Sequence, residues 1–165
     1  MALFRKVEVP DNAAGQLLLH SMPGRGEKIH ECWTEIKAIP IHSIVSLTSD
    51  DEIAHKSPSY SSAIANGTVP CERWTLPVKD YGIPENKDEF WRLSVRVAES
   101  LKSGQNVLVH CGAGIGRTGT FATLVLMGLR LQLEEALRRV KAAGSGPETS
   151  EQHAFLERMR PNTDG

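Results

Sequence analysis

Apolar positions along the chain fall into two kinds of pattern. Ile29, Cys32, Trp33, Ile36 and Ile39 recur at intervals of three and four, which predicts a helix from about Glu27 to Ala38. Phe90, Leu93, Val97 and Leu101 share one face of a predicted helix over Glu85–Ser103, with Gly104 as its stop. A shorter helix over Ser59–Asn66 ends at Gly67 in the same way. Arg117–Leu129 is apolar on all sides and is expected to be buried. Leu133–Ala143 is amphipathic, and Ser150–Arg160 is the last predicted helix.

The second pattern is short apolar runs bounded by turn residues. These predict strands near Val7–Val9, Gln16–His20, Ile44–Thr48, Cys71–Val78 and Asn106–His110. Asn106–His110 (NVLVH) is nearly all apolar, as expected at the centre of a sheet covered on both faces. The Pro-Gly-Arg-Gly run at 23–26 reads as a turn, 49–60 as a loop or short helix, and Lys79–Pro84 as a loop. Strands alternating with helices predict an α/β fold with a central, mostly parallel sheet flanked by helices.

Composition changes this picture little. The 165 residues suit a single domain spanning 1–165, with no internal repeat and no low-complexity block. The chain has 19 Lys+Arg against 20 Asp+Glu, a net charge of −1. That balance argues against a nucleic-acid or membrane partner and requires any anion site to be local. The N-terminal run MALFRKVEVPD lacks the apolar core of a signal peptide, and no run is long enough to cross a bilayer. Three cysteines, Cys32, Cys71 and Cys111, do not make a disulfide framework, so a reducing, cytoplasmic location is expected.

The candidate chemistry lies in Val109-His110-Cys111-Gly112-Ala113-Gly114-Ile115-Gly116-Arg117-Thr118-Gly119, between a buried strand and a helix start. The unpaired N–H groups of a helix N-terminus bind anions, and glycines let the backbone curl around one. Arg117 adds a planar fork that matches two phosphate oxygens. Cys111 opens this cradle, where aligned N–H dipoles and a guanidinium favour the thiolate, the nucleophilic form. A cradle and a nucleophile in one loop suit phosphoryl transfer, in which positioning and charge stabilisation supply most of the acceleration. Such a thiolate is also open to reversible oxidation by peroxide.

Two other readings of the loop fit less well. Gly114-x-Gly116-x-x-Gly119 matches a dinucleotide fingerprint, but that motif wants a second strand ending in an acid about twenty residues on. Here Glu134 and Glu135 fall inside a predicted helix. No Lys-Ser/Thr pair follows to make a nucleotide-triphosphate loop. Cys32 and Cys71 read as inert packing. His20, His30, His42, His55 and His153 show no metal-ligand spacing, and the chemistry needs neither metal nor cofactor.

His110–Gly119 resembles the HCxxGxxR[ST] signature of the protein tyrosine phosphatase superfamily. Leu19–Glu27, Gly144-Ser145-Gly146 and Gln152–Leu156 resemble its compact dual-specificity, kinase-associated branch, so that the likeness runs loosely over residues 15–160. The resemblance implies the cysteine-phosphatase fold. It implies that Cys111 attacks phosphorus, and that Arg117 with the backbone of Gly112, Ala113, Gly114, Ile115 and Gly116 holds the phosphate. It places Asp80, in Pro77–Pro84, as the acid that protonates the leaving oxygen and then the base toward water. It gives Thr118 a hydrogen bond to the cysteine sulfur and His110 a buttressing place behind the loop. Some members orient the hydrolytic water with two glutamines; here Glu148 stands at the first position and Gln152 at the second.

Gly112, Ala113 and Ile115 are uncharged, whereas family members acting on inositol phosphates often carry Lys in the loop. The loop resembles that of tyrosine-specific enzymes. The expected partner is a phosphorylated protein or peptide carrying phosphotyrosine, with phosphoserine and phosphothreonine still open. Tyr81 or the 50–60 segment is the expected pocket wall. A phosphatase of non-protein substrates such as inositol phosphates, and an inactive phosphate-binding module, are the alternatives.

Overall fold

The computed structural model describes residues 2–160. Five strands, β1 (Arg5–Val7), β2 (Leu17–His20), β3 (Ile41–Ser46), β4 (Glu72–Thr75) and β5 (Asn106–His110), form one sheet in the order β1-β2-β5-β3-β4. β1 is antiparallel to β2, and the other pairings are parallel. The parallel strands end level, with His20 beside His110, His110 beside Ser46, and Ser46 beside Thr75. Chain leaving those four residues therefore gathers at one edge of the sheet. β2 lies to one side of β5 and β3 to the other, which opens a crevice at the end of β5, where such folds bind ligands.

Alternation along the strands divides the core. Leu17, Leu19, Val45, Val107 and Val109 face α4 (Lys87–Lys102), α5 (Gly116–Gly128), α6 (Leu133–Ala142) and α7 (Ser150–Met159). Leu18, Ile44 and Leu108 face Cys32 and Ile36 of α1 (Ile29–Ala38) on the opposite side. Both faces are covered, as the apolar run in β5 predicts. α5 is the central helix, with every residue from Gly116 to Met127 buried. Phe90 of α4 packs edge-on to Phe121 of α5 at 5.2 Å and to Phe155 of α7 at 5.6 Å, joining three helices. Among the described residues no helix is long and apolar enough to cross a membrane.

The α/β class and the mostly parallel sheet match the expectation, and β5 falls on the predicted residues. Several boundaries differ for local reasons. α1 begins at Ile29 because Glu27 is used elsewhere: its carboxylate accepts from Gly24 N at 2.8 Å and meets His20 Nε2 at 2.7 Å. α4 begins at Lys87 because Asn86 caps it, accepting from Glu89 N. β4 stops at Thr75, ahead of Pro77, which has no N–H to offer. The extended path nevertheless continues, with Leu76 N bonded to Ser46 O and Val78 N to Leu47 O. β1 sits two residues earlier than predicted and β3 three earlier, starting at Ile41 with a register shift before Ser43. The polar 49–60 stretch holds two short helices, α2 (Asp50–Lys56) and the start of α3 (Pro58–Asn66).

Candidate active site

Residues 111–115 leave the end of β5 and turn into α5. Their shape is held from outside. Gly114 adopts φ +78°, and a Cβ there would stand 2.4 Å from His20 O, so a glycine is required. Ile115 O accepts from Gly119 N and Gly146 N, and Gly112 O accepts from Met22 N. Arg5 of β1 donates to Gly114 O at 2.7 Å, and Ser145 Oγ donates to the same oxygen at 2.6 Å. Burial pulls the Arg5 guanidinium below its ordinary pKa, with the nearby Cys111 acting in the opposite direction.

Carbonyls of the loop are thus bonded outward, and its N–H groups are left. Among the described residues the backbone N–H groups of 112–118 donate to no other group of the protein. Arg117 is 3% exposed, and its Nε is buried without a hydrogen-bond partner. Cys111 is 2% exposed. A buried guanidinium donor and a run of unpaired amides around one thiol form a strong anion site.

The other edge of Arg117 is fully engaged. Nη1 and Nη2 each donate to Glu52 of α2 at 2.8 Å, and Nη1 also donates to Val78 O at 2.9 Å. This bidentate pair fixes the guanidinium plane and leaves its Nε edge free. Burial lowers the Arg117 pKa, but Glu52 outweighs it and the net shift is upward. Hydrogen bonds from Arg117, opposed by burial and helped by Lys56, hold Glu52 down at about 2. Lys56 Nζ meets Glu52 Oε2 at 2.7 Å and Asp80 Oδ2 at 3.8 Å. Asp80 Oδ1 lies 3.3 Å from Arg117 Nη2, with the Asp80 side chain 50% exposed. The Asp80 carboxylate is therefore beside the Arg117 guanidinium while open to solvent. A cavity of about 430 Å³ opens beyond Glu52 and Asp80, with Ser49, Val78 and Ile83 also in its wall.

His110 is fully buried behind the loop. Its Nδ1–H donates to Cys111 O at 3.1 Å, and Nε2 accepts from the hydroxyls of Ser46 and Tyr60 at 2.8 and 2.9 Å. Burial pushes its pKa down to about 3, so the ring is neutral. Thr118 Oγ1 is buried with no hydrogen-bond partner among the described residues, so the implied bond to the cysteine sulfur is not formed in this state. Gln152 is wholly buried in a capping box with Thr149. Its Oε1 accepts from Glu148 N at 2.7 Å, and its Nε2 donates to Gly82 O at 3.1 Å. That ties the Asp80 loop to α7 and engages both ends of the Gln152 amide with the protein. The Glu148 carboxylate lies over Gly116, where a Cβ would come within 2.4 Å of Oε1.

The chain from 13 to 163 matches the family described as the Swiss Army Knife protein, DSP-PTPase phosphatase domain. The chain belongs to this phosphatase family. Among relatives, human protein tyrosine phosphatase type IVA 3 is 31% identical over 86 residues, 52% of this chain and 50% of that protein. Human receptor-type tyrosine-protein phosphatase H is 38% identical over 61 residues, 35% of this chain and 6% of that protein. The chain therefore spans half or less of the length of these relatives. The structure of Tk-PTP in its active form is 27% identical with a TM-score of 0.70, covering 90% of this chain and 96% of that one. Kinase associated phosphatase, with its catalytic-site cysteine replaced by serine, has a TM-score of 0.80 at 17% identity, covering 94% and 92%, and shares the fold.

Within this phosphatase family domain the structure brings Cys111, Arg117 and Asp80 into one crevice. Glu52 and Lys56, from the 50–60 segment expected as a pocket wall, line it, and Arg5 braces the loop from behind; none of the three was singled out by residue in the sequence. One signal for Glu52 was present: Ser49-x-x-Glu52 is a helix-start pattern, and Ser49 Oγ accepts from Glu52 N at 3.1 Å. Nothing in the sequence points from Glu52 or Arg5 to the loop.

Proposed function

We propose that this domain hydrolyses phosphotyrosine in proteins or peptides through a phosphocysteine intermediate, and that phosphoserine and phosphothreonine can enter the same loop. The observation that carries the reading is the unpaired amide run of 112–118 with the free Nε of Arg117, curled around Cys111. Such donors match the equatorial oxygens of a phosphoryl group in transfer. The Cys111 thiolate attacks phosphorus, an S–P bond forms, and the P–O bond to the phenol breaks. Asp80 gives its proton to the departing oxygen. Water then attacks phosphorus, Asp80 takes the water's proton, the S–P bond breaks, and inorganic phosphate leaves. Thr118 Oγ1, buried and unpartnered, is a donor available to the sulfur as it departs.

The uncharged loop positions Gly112, Ala113 and Ile115 favour a singly phosphorylated residue over a polyphosphorylated inositol. The free cysteines Cys32, Cys71 and Cys111 fit a cytoplasmic location. One sheet with its helices serves as a single phosphatase domain in this reading. The test compares wild type, Cys111→Ser and Asp80→Ala on para-nitrophenyl phosphate, a phosphotyrosine peptide and an inositol phosphate, with a chelator present. The expected result is hydrolysis of the first two, no turnover by Cys111→Ser, and a loss in Asp80→Ala that is larger on the peptide, whose leaving group needs the proton more. Turnover of the inositol phosphate alone would move the substrate assignment. Binding of the peptide without any turnover would make the domain a phosphate-binding module.

A further inference from the structure

Ile115 and Tyr81 are the large hydrophobic side chains left exposed among the described residues, at 39% and 62%. Ile115 sits inside the phosphate loop. Its backbone is fixed, since its carbonyl accepts from Gly119 N at 2.7 Å and Gly146 N at 3.2 Å. The side chain joins none of the three apolar core clusters. Folding thus gives no reason for an isoleucine here. The exposed side chain forms one wall of a hollow of about 360 Å³, closed by Leu137 and Lys141 of α6, by Pro147 and Glu148 of the connecting turn, and by His153 of α7.

The geometry points to this hollow as the subsite for an apolar side chain flanking the phosphotyrosine of a peptide substrate. The inference rests on the phosphopeptide reading above. Continuity with the catalytic loop supports it. Ile115 is four positions from Cys111, so the two Cα atoms are at most roughly 14 Å apart, a span an extended peptide covers in four residues. Residues within a few positions of a phosphotyrosine whose phosphate lies over Cys111 are therefore within reach of Ile115. The walls contributed by Ile115, Leu137 and Pro147 are apolar. Lys141 and Glu148, also in the lining, carry opposite charges that offset each other, so the hollow selects for apolar surface and shape rather than for net charge. The walls are also set in advance, because Ser145 Oγ and Gly146 N are bonded to the loop itself. A subsite formed before binding adds affinity without the cost of ordering a loop.

The test is a set of phosphotyrosine peptides in which each of the three positions on either side carries Leu, Phe, Gly or Asp in turn. It is run on the full chain beside para-nitrophenyl phosphate, which is too small to reach the hollow. Wild type is expected to favour Leu or Phe over Gly or Asp by tenfold or more in kcat/KM at one flanking position. Leu137→Trp, which fills the hollow, and Leu137→Asn, which strips one wall, are each expected to reduce that preference to twofold or less while kcat/KM on para-nitrophenyl phosphate stays within twofold. Circular dichroism identifies a variant that fails to fold, and the other variant then decides. A flat wild-type profile, or a preference that survives the variants, overturns the subsite. If para-nitrophenyl phosphate is not hydrolysed, the catalytic reading has failed. The same peptide comparison, read as binding by fluorescence polarisation, then supports the subsite through a tenfold preference lost in the variants, or overturns it through its absence.

Discussion

Replacing Glu52 by glutamine keeps the shape of the side chain and removes its charge from a site where a nearly buried guanidinium depends on it. Glu52 holds both terminal nitrogens of Arg117 at 2.8 Å, and its pKa falls from an ordinary 4.5 to about 2, with the Arg117 hydrogen bonds as the largest cause and Lys56 assisting. A drop of that size corresponds to about 3 kcal/mol before screening, at 1.36 kcal/mol per unit. The Glu52 side chain meets solvent at the crevice edge, and screening there leaves about 1–2 kcal/mol. For a domain of this size that is a fall in Tm of about 2–8 °C.

Linkage gives a second signature of the same pair. The folded pKa lies below the unfolded one, so the contribution is complete above about pH 4.5 and is lost as pH falls toward about 2. Glu52→Gln should lack that component of acid destabilisation. Activity should fall further than stability implies. Without the carboxylate, Arg117 Nη2 is left with Asp80 at 3.3 Å, and the Nε edge is no longer held toward the loop. The expected loss in kcat/KM on para-nitrophenyl phosphate is about 10- to 100-fold, or about 1.4–2.7 kcal/mol of transition-state stabilisation. A variant within twofold of wild type in kcat/KM, at unchanged Tm, refutes the argument. A lowered Tm with unchanged kcat/KM would show that Glu52 stabilises the fold without aiming the fork.

Gly114→Ala forces a Cβ to within 2.4 Å of His20 O at φ +78°, so a stability loss of at least about 2 kcal/mol is expected in urea unfolding, with weaker inhibition by inorganic phosphate. Unchanged values for both would show that the loop can relax around the extra methyl. Gln152→Ala removes the cap on Glu148 N and the tie to Gly82 O. It should cost about 1–2 kcal/mol and lower turnover of a phosphotyrosine peptide more than that of para-nitrophenyl phosphate, because the Asp80 loop loses its anchor. An equal loss on the two substrates counts against that coupling.

How much of this was legible in the sequence depends on chain distance. Cys111, the glycines and Arg117 lie within one strand-to-helix junction, and the apolar run in NVLVH placed β5 on its observed residues. Strands whose ends are set by partners rather than by their own pattern moved by two or three residues, as β1 and β3 did. Glu52 is 65 residues from the arginine it holds, and acids in the first turn of a short helix look like solvated helix-start residues. Arg5 is 109 residues from Gly114 O, so its role depends on β1 lying beside β2. Gln152 stood out in sequence as the second of the family's water-orienting positions. A glutamine three residues after Thr149 also fits a capping box, and its amide bonds there and to Gly82.

The place of β5 in the sheet also bears on how the molecule is made. β2 and β3 never touch as a pair; each is joined to the other only through β5, which is synthesised after residue 105. Until then, β2 and β3 each lack the partner that satisfies the backbone N–H and C=O groups of one edge, where β5 will insert. Open edges of this kind are templates for pairing with other chains. The strand that leads into Cys111 is thus also the one that closes the sheet. A chain stalled before β5 would leave both of those edges open to pairing with other chains.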